Sequence, residues 1–319
     1  MDLEAAPLFT DVAPGPQDGT AYWVKAADGK RLRVAYWPAP NARGTLLLMP
    51  GRTEYVEKYG ATARVMAERG IATLTIDWRG QGLADRLLAD KRVGHIGTFS
   101  DYQLDVTAMM EVARHVGAPE PFVLLGHSMG GGIGLRAIYE GLPVVGAVFT
   151  GPMWGIYFSR IMRPAVWLLP RIATVLGMGT LLPPTTSYDS YVLANPFEDN
   201  MLTRDPDFFA MMQRQLEAHP ELQLGGPSMI WVKEATAECL SLVKEPSPNL
   251  PCVTYLGANE RIIDCDAVRN RMNRWSRGEL VIVPESEHEL LMEVPDTREK
   301  VHQSISDMFA PHQMMSKSA

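Results

Sequence analysis

Residues 121–132 read Pro121-Phe122-Val123-Leu124-Leu125-Gly126-His127-Ser128-Met129-Gly130-Gly131-Gly132. An apolar run enters Gly126-His127-Ser128-Met129-Gly130 and leaves into the helix-compatible stretch Gly134-Leu135-Arg136-Ala137-Ile138-Tyr139. This is a G-x-S-x-G turn in the strand–turn–helix setting that gives the pattern meaning. The turn is too tight for side chains at the flanking positions, which accounts for Gly126 and Gly130. It lifts the Ser128 hydroxyl above the sheet edge, at the start of a helix whose N–H groups and dipole favour developing negative charge. The bland reading is a tight turn and nothing more. The buried strand before it and the small-residue helix after it favour a nucleophilic serine.

Working outward, the chain has 319 residues, 46% of them hydrophobic, which suits one large α/β domain with an insertion. A net charge of −7 leaves no footprint for nucleic acid. Cys239, Cys252 and Cys265 are an odd number without metal-ligand spacing, and read as reduced thiols of a cytoplasmic protein. Neither a metal site nor a cofactor motif is expected. Met1-Asp2-Leu3-Glu4 is acidic and lacks a basic-then-apolar signal pattern, and no uncharged apolar stretch long enough for a transmembrane helix occurs.

Tyr22-Trp23-Val24-Lys25 and Leu32-Arg33-Val34-Ala35-Tyr36 flank Asp28-Gly29, the pattern of a hairpin. Short apolar runs follow at 45–49, 72–76, 122–125, 144–149, 252–256 and 279–283. They do not alternate, as expected of parallel strands buried on both faces. Helix candidates lie between them at about 55–69, 101–116, 129–141, 266–276 and 295–310. A hairpin followed by β-α-β-α order predicts an α/β fold with a mostly parallel sheet of about eight strands flanked by helices.

The alternation stops after Gly151-Pro152 and resumes near Pro251, a gap too long for one crossover. The expected division is a first part of the core at 1–152, an inserted helical cap at 153–245, and the rest of the core at 246–319. Residues 153–184 are apolar and proline-broken. No Asp or Glu occurs between Glu140 and Asp189, whereas Arg160, Arg163 and Arg171 do. Such a segment is either a lid packed on the core or one that also touches lipid, cationic at its rim. Pro164 and Pro170 predict a hinged lid in several pieces. Helical periodicity returns within 206–237, and residues 314–319 read as a frayed end.

Ser128 needs a base. Of seven histidines, His115 ends a helix, His302 sits in the C-terminal helix and His312 in the tail. His219 lies beside Pro220, His95 in a loop, and His127 reads as packing beside the serine. His288 alone follows a late strand, in the loop after 279–283, which brings it to the sheet edge that Ser128 occupies. The base needs a carboxylate to hold its tautomer. Glu260, three residues beyond Gly257, is the first choice and Asp264 the alternative, with Asp266 expected to cap the next helix. The amides of Met129 and Arg52 are the expected oxyanion donors, Gly51 letting the backbone turn inward. The Arg52 side chain either supplies charge or forms a loop salt bridge. The cap residues Trp154, Tyr157, Phe158, Met162, Trp167 and Met178 are expected to enclose an apolar substrate.

Four further stretches resemble a known family. Pro50-Gly51-Arg52-Thr53-Glu54-Tyr55-Val56-Glu57-Lys58-Tyr59 is similar to a bacterial lysophospholipase oxyanion loop, and Asp77-Trp78-Arg79-Gly80-Gln81-Gly82 to an Asp-x-Arg-Gly-x-Gly loop at a pocket rim. His95-Ile96-Gly97-Thr98-Phe99-Ser100-Asp101-Tyr102 resembles the start of the helix before the nucleophile strand, and residues 226–235 the return from cap to core. Over nearly its whole length the chain resembles the α/β-hydrolase fold, in its lysophospholipase and monoacylglycerol-lipase branch, the S33-type serine aminopeptidase group. The resemblance implies a Ser128–His288–Glu260 triad, no cofactor, and hydrolysis of lysophospholipids, monoacylglycerols or simple esters. Two departures are Pro50-Gly51 where many relatives carry His-Gly, and Glu260 where many carry Asp. The rivals are a short-chain carboxylesterase, a transacylase and a non-catalytic binding protein on the same fold. The implied partner is a small lipid or ester, with contact at the inner face of the membrane through the cap as a further expectation.

Overall fold

The computed structural model describes residues 3–184 and 186–310. His312 and the frayed end expected at 314–319 lie outside the described residues. The strands are β1 Glu4–Ala6, β2 Thr20–Lys25, β3 Arg31–Trp37, β4 Thr45–Met49, β5 Ala72–Asp77, β6 Phe122–His127, β7 Val144–Thr150, β8 Cys252–Gly257 and β9 Gly278–Val283. They form one nine-stranded sheet in the order β1-β2-β3-β5-β4-β6-β7-β8-β9. β1 to β3 and the β3–β5 pair are antiparallel, and every pair from β5 through β9 is parallel. The expected eight strands become nine because β1 is a three-residue edge strand, too short to show a period.

β4, β5 and β6 are buried at every residue. Their side chains alternate between two cores, since successive strand residues point to opposite faces. Leu47, Met49, Leu74 and Leu124 join one cluster, and Leu46, Leu48, Val123 and Leu125 the other. The helices α1 Gly60–Glu68, α2 Asp101–His115 and α3 Met129–Tyr139 match the sequence expectation closely. Between β7 and β8 come α4 Arg163–Val175, α5 Tyr191–Ala194, α6 Pro206–Ala218 and α7 Met229–Lys244; α8 Cys265–Met272 and α9 Pro295–Met308 complete the set. Met66 of α1 and Val301 and Ile305 of α9 cover one face of the sheet. α2, α3 and α8 cover the other, joined by Trp231, Ala235 and Leu242 of α7.

Two expectations are corrected, one in the 153–245 segment and one at the start of α8. Pro170 does not break α4, which runs through it from Arg163 to Val175. Pro164 sits in the first turn, where its missing N–H costs nothing, and the Thr174 hydroxyl donates to the Pro170 carbonyl one turn on. Asp264, not Asp266, caps α8: its carboxylate accepts from the amides of Asp266 and Ala267.

Candidate active site

Ser128 joins β6 to α3 with φ 49° and ψ −117°, a conformation that strains any residue but glycine. Its surroundings enforce it. The Ser128 amide donates to the Thr150 carbonyl at 3.0 Å, and its carbonyl accepts from the Gly131 and Met153 amides at 2.9 and 2.8 Å. The flanking glycines answer to close backbone approach. A side chain at Gly130 would overlap the Met49 carbonyl, and one at Gly126 would meet the Gly131 α-carbon at 2.9 Å. The elbow is therefore pressed against the end of β4.

His288 and Glu260 meet across the ends of β9 and β8. His288 Nδ1 lies 2.6 Å from Glu260 Oε2, with both side chains buried. The other Glu260 oxygen accepts from the amides of Ile262 at 2.7 Å and Ile263 at 3.2 Å. Burial pushes this carboxyl up, but His288 and the two amides outweigh it and hold it below the usual range. Asp264, the alternative acid, is committed to its cap and does not reach His288. Gly151, with φ +49°, was missed as a site residue. A side chain there would meet His288 Nδ1 at 2.9 Å and Glu260 Oε2 at 3.3 Å.

The path of the chain after β4 is fixed by the loop that follows β5. Trp78 Nε1 donates to the Pro50 carbonyl at 2.9 Å, and Gln81 Nε2 to the Gly51 and Glu54 carbonyls at 2.8 and 3.0 Å. A trans peptide points its N–H opposite its C=O. With the Gly51 carbonyl held by Gln81, the Arg52 N–H is directed to the other side. Met129 is the first residue of α3, so its N–H has no partner within the helix.

Beneath these loops lies a buried charged cluster. Lys58 Nζ is 2.5 Å from Glu54 Oε1 and 2.8 Å from Glu289 Oε1. His127 Nε2 is 3.3 Å from Glu289 Oε2, and its Nδ1 is 3.0 Å from the carbonyl and the hydroxyl of Thr150. Burial disfavours charge on His127, but Glu289 and Glu54 overcome it and raise its basicity. Its ring packs against that of His288, with the centroids 4.9 Å apart. Glu54, His127 and Glu289 present ligand atoms close enough for a metal ion, yet Lys58 already places a positive charge between the two carboxylates. The spacing of Glu54 and Lys58, one helical turn apart, was the available signal for this pair.

Ser128, Met129, Arg52 and His288 line one cavity of about 640 Å³. Tyr157, Phe158 and Met162 line it as expected, joined by Met153, Ile156, Val166, Leu169 and Trp231. Trp154, Trp167 and Met178 do not. Trp154 is buried behind the elbow, donating from Nε1 to the Gly131 carbonyl and stacking on Trp275. Trp167 and Met178 face outward, each about half exposed. Among the described residues the Arg52 side chain forms no salt bridge: it donates to the Gly225 carbonyl at 2.9 Å and lies over the Trp231 ring.

A family model described as serine aminopeptidase, S33, matches residues 40–295. The chain belongs to that family. Its fold is the α/β-hydrolase fold. It is 27% identical over 296 residues to lysophospholipase L2 of Escherichia coli K12, covering 88% of this chain and 84% of that protein. It is 31% identical over 179 residues to monoacylglycerol lipase of Mycolicibacterium smegmatis, covering 54% of this chain and 62% of that one. A solved structure of a soluble variant of Saccharomyces cerevisiae monoglyceride lipase with a substrate analogue superposes with a TM-score of 0.70 at 19% identity, over 91% of this chain and 94% of that one.

The geometry separates the two acidic candidates. Glu260→Gln is expected to lower kcat/KM on a soluble ester by up to about 10⁴-fold, because tautomer control is lost. Asp264→Asn is expected to leave activity nearly unchanged, since Asn caps a helix as well as Asp. Parallel melting curves check that both variants are folded. An Asp264 variant that loses more activity than the Glu260 variant contradicts the assignment.

Proposed function

We propose that the chain is a carboxylic ester hydrolase that cleaves the single acyl ester of a lysophospholipid or monoacylglycerol. The observation that carries this reading is His288, paired with the buried Glu260 carboxylate, lining with Ser128 an apolar cavity beneath the 153–184 segment. His288 takes the Ser128 proton as Oγ attacks the ester carbonyl, forming the C–O bond of a tetrahedral intermediate. The Arg52 and Met129 amides hold its oxyanion. His288 then passes the proton to the departing alcohol oxygen, leaving an acyl-enzyme. Water attacks that acyl group, giving its proton to His288, and the fatty acid leaves as the proton returns to Ser128 Oγ. Glu260 keeps Nδ1 protonated and offsets the charge of the imidazolium. Among relatives, the names lysophospholipase L2 and monoacylglycerol lipase support the substrate class.

A fluorophosphonate probe is expected to label Ser128, with the adduct located by mass spectrometry. Ser128→Ala is expected to abolish labelling and to lower kcat on 1-acylglycerol and 1-acyl lysophospholipid by at least about 10³-fold. A probe adduct on another serine, or an active Ala variant, contradicts the reading.

The lid face fits a lipid surface. Ile161, Trp167, Leu168, Ile172, Val175 and Leu176 are exposed, and Arg160, Arg163 and Arg171 lie among them with no acidic residue from 141 to 188. No helix among the described residues is long and apolar enough to cross a membrane, so contact of this kind is peripheral. Replacing the three arginines by glutamine is expected to weaken binding to anionic vesicles by about 1 kcal/mol per charge. Cosedimentation at low and moderate salt is the measurement. Wild-type protein that stays in the supernatant at both salts makes the segment a pocket cover only.

A further inference from the structure

The cavity is lined by two permanent cations, Arg52 and Lys58, and they are treated differently. Lys58 is neutralised on two sides by Glu54 and Glu289. Among the described residues Arg52 has no carboxylate partner. Its Nη1 donates to the Gly225 carbonyl, its Cζ stands 5.6 Å from the Trp231 ring centroid, and its other N–H groups have no protein acceptor. Burial lowers its pKa to about 10, so it stays charged at neutral pH. Tyr102 cannot answer that charge, because burial raises the pKa of its phenol well above the ordinary value. A guanidinium in an apolar cavity is costly unless an anion meets it. Its planar fork matches the oxygens of a phosphate.

The position of Arg52 adds a distance constraint. Its backbone sits in the loop assigned to the oxyanion, so its side chain begins beside the scissile carbonyl. In a 1-acyl lysophospholipid the three carbons of glycerol separate the ester from the phosphodiester. The three methylenes of Arg52 span a comparable distance. We propose that the Arg52 side chain is the specificity determinant that binds the phosphodiester of a lysophospholipid, selecting it over a neutral monoacylglycerol. This rests on the ester-hydrolase reading for its substrate class, but its test does not depend on turnover. The Trp231 ring lies within cation–π reach of the guanidinium, and the N–H groups not bonded to Gly225 are left for the ligand.

The experiment uses non-hydrolysable ether lipids below their aggregation limit. Binding of 1-O-alkyl lysophosphocholine and of 1-O-alkylglycerol is measured by calorimetry on the full chain and on Arg52→Gln and Arg52→Lys. The wild type is expected to favour the phospholipid, and Arg52→Gln to erase at least about tenfold of that preference, the scale of a charge-assisted hydrogen bond. Arg52→Lys is expected to keep part of it, as a point charge without the fork. The ratio of kcat/KM for the two acyl substrates is expected to shift in the same sense. Equal losses for both ether lipids mean that Arg52 only shapes the pocket, and overturn the proposal. Weakened binding of a free fatty acid anion with an unmoved phospholipid affinity assigns Arg52 to the product carboxylate, and also overturns it. A wild type that turns over neither acyl lipid defeats the hydrolase reading, while the ether-lipid affinities still decide the role of Arg52.

Discussion

The site depends on how the chain leaves β4. Two contacts leave it little freedom. Gly130 of the elbow presses on the Met49 carbonyl, which fixes the separation between Ser128 and the segment from Pro50 to Arg52. Trp78 and Gln81 then hold the next two carbonyls, so the peptide planes cannot turn. The direction of the Arg52 amide is set by what binds the Gly51 carbonyl behind it. Preorganised donors are worth most where they need no rearrangement as charge develops. The strained φ of Ser128 belongs to the same arrangement, since the hydrogen bonds of its own amide and carbonyl over-determine it.

Buried charge holds these loops to the sheet. Arg33 on β3 bonds Asp77 at 2.7 Å and both oxygens of Glu57 at 2.6 and 2.7 Å, with all three side chains fully buried. Asp77 also accepts from the amides of Val56 and Leu83, so one carboxylate joins the ends of two loops. Breaking a buried pair by removing one partner costs about 3–5 kcal/mol, because the other charge is left stranded. Lys58 repeats the device, linking Glu54 in the loop after β4 to Glu289 beside His288. The parts contributed by β4, β6 and β9 are thus held together by charge as well as by packing.

Much of this was legible in the sequence where one residue type answers one constraint. The elbow glycines, the late histidine after β9 and the carboxylate after β8 follow from strand ends and chain direction alone. The parallel strands were legible because burial on both faces removes alternation. The pocket was less so. Residues 153–184 are mostly apolar around Arg160, Arg163 and Arg171, and such a pattern does not say which of the apolar side chains face inward. Trp154 accordingly went behind the elbow, while Trp167 and Met178 went outside. Pro170 read as a break because the rule concerns its ring and its missing N–H, whereas α4 continues through it with the Pro170 side chain buried and lining the cavity. Gln81 and Gly151 gave no warning, since each acts through contacts distant in sequence.

We propose that the carbonyl held by Gln81 aims the Arg52 amide at the oxyanion. Gln81→Leu removes the donor and keeps the bulk of the side chain. Its steady-state kinetics on a soluble ester, with a melting curve to verify folding, test the claim most directly. The kcat is expected to fall by about tenfold or more, toward the roughly 10²-fold loss typical of a missing oxyanion donor, with KM little changed and fluorophosphonate labelling slowed in step. A folded Gln81→Leu protein with wild-type kcat would contradict it.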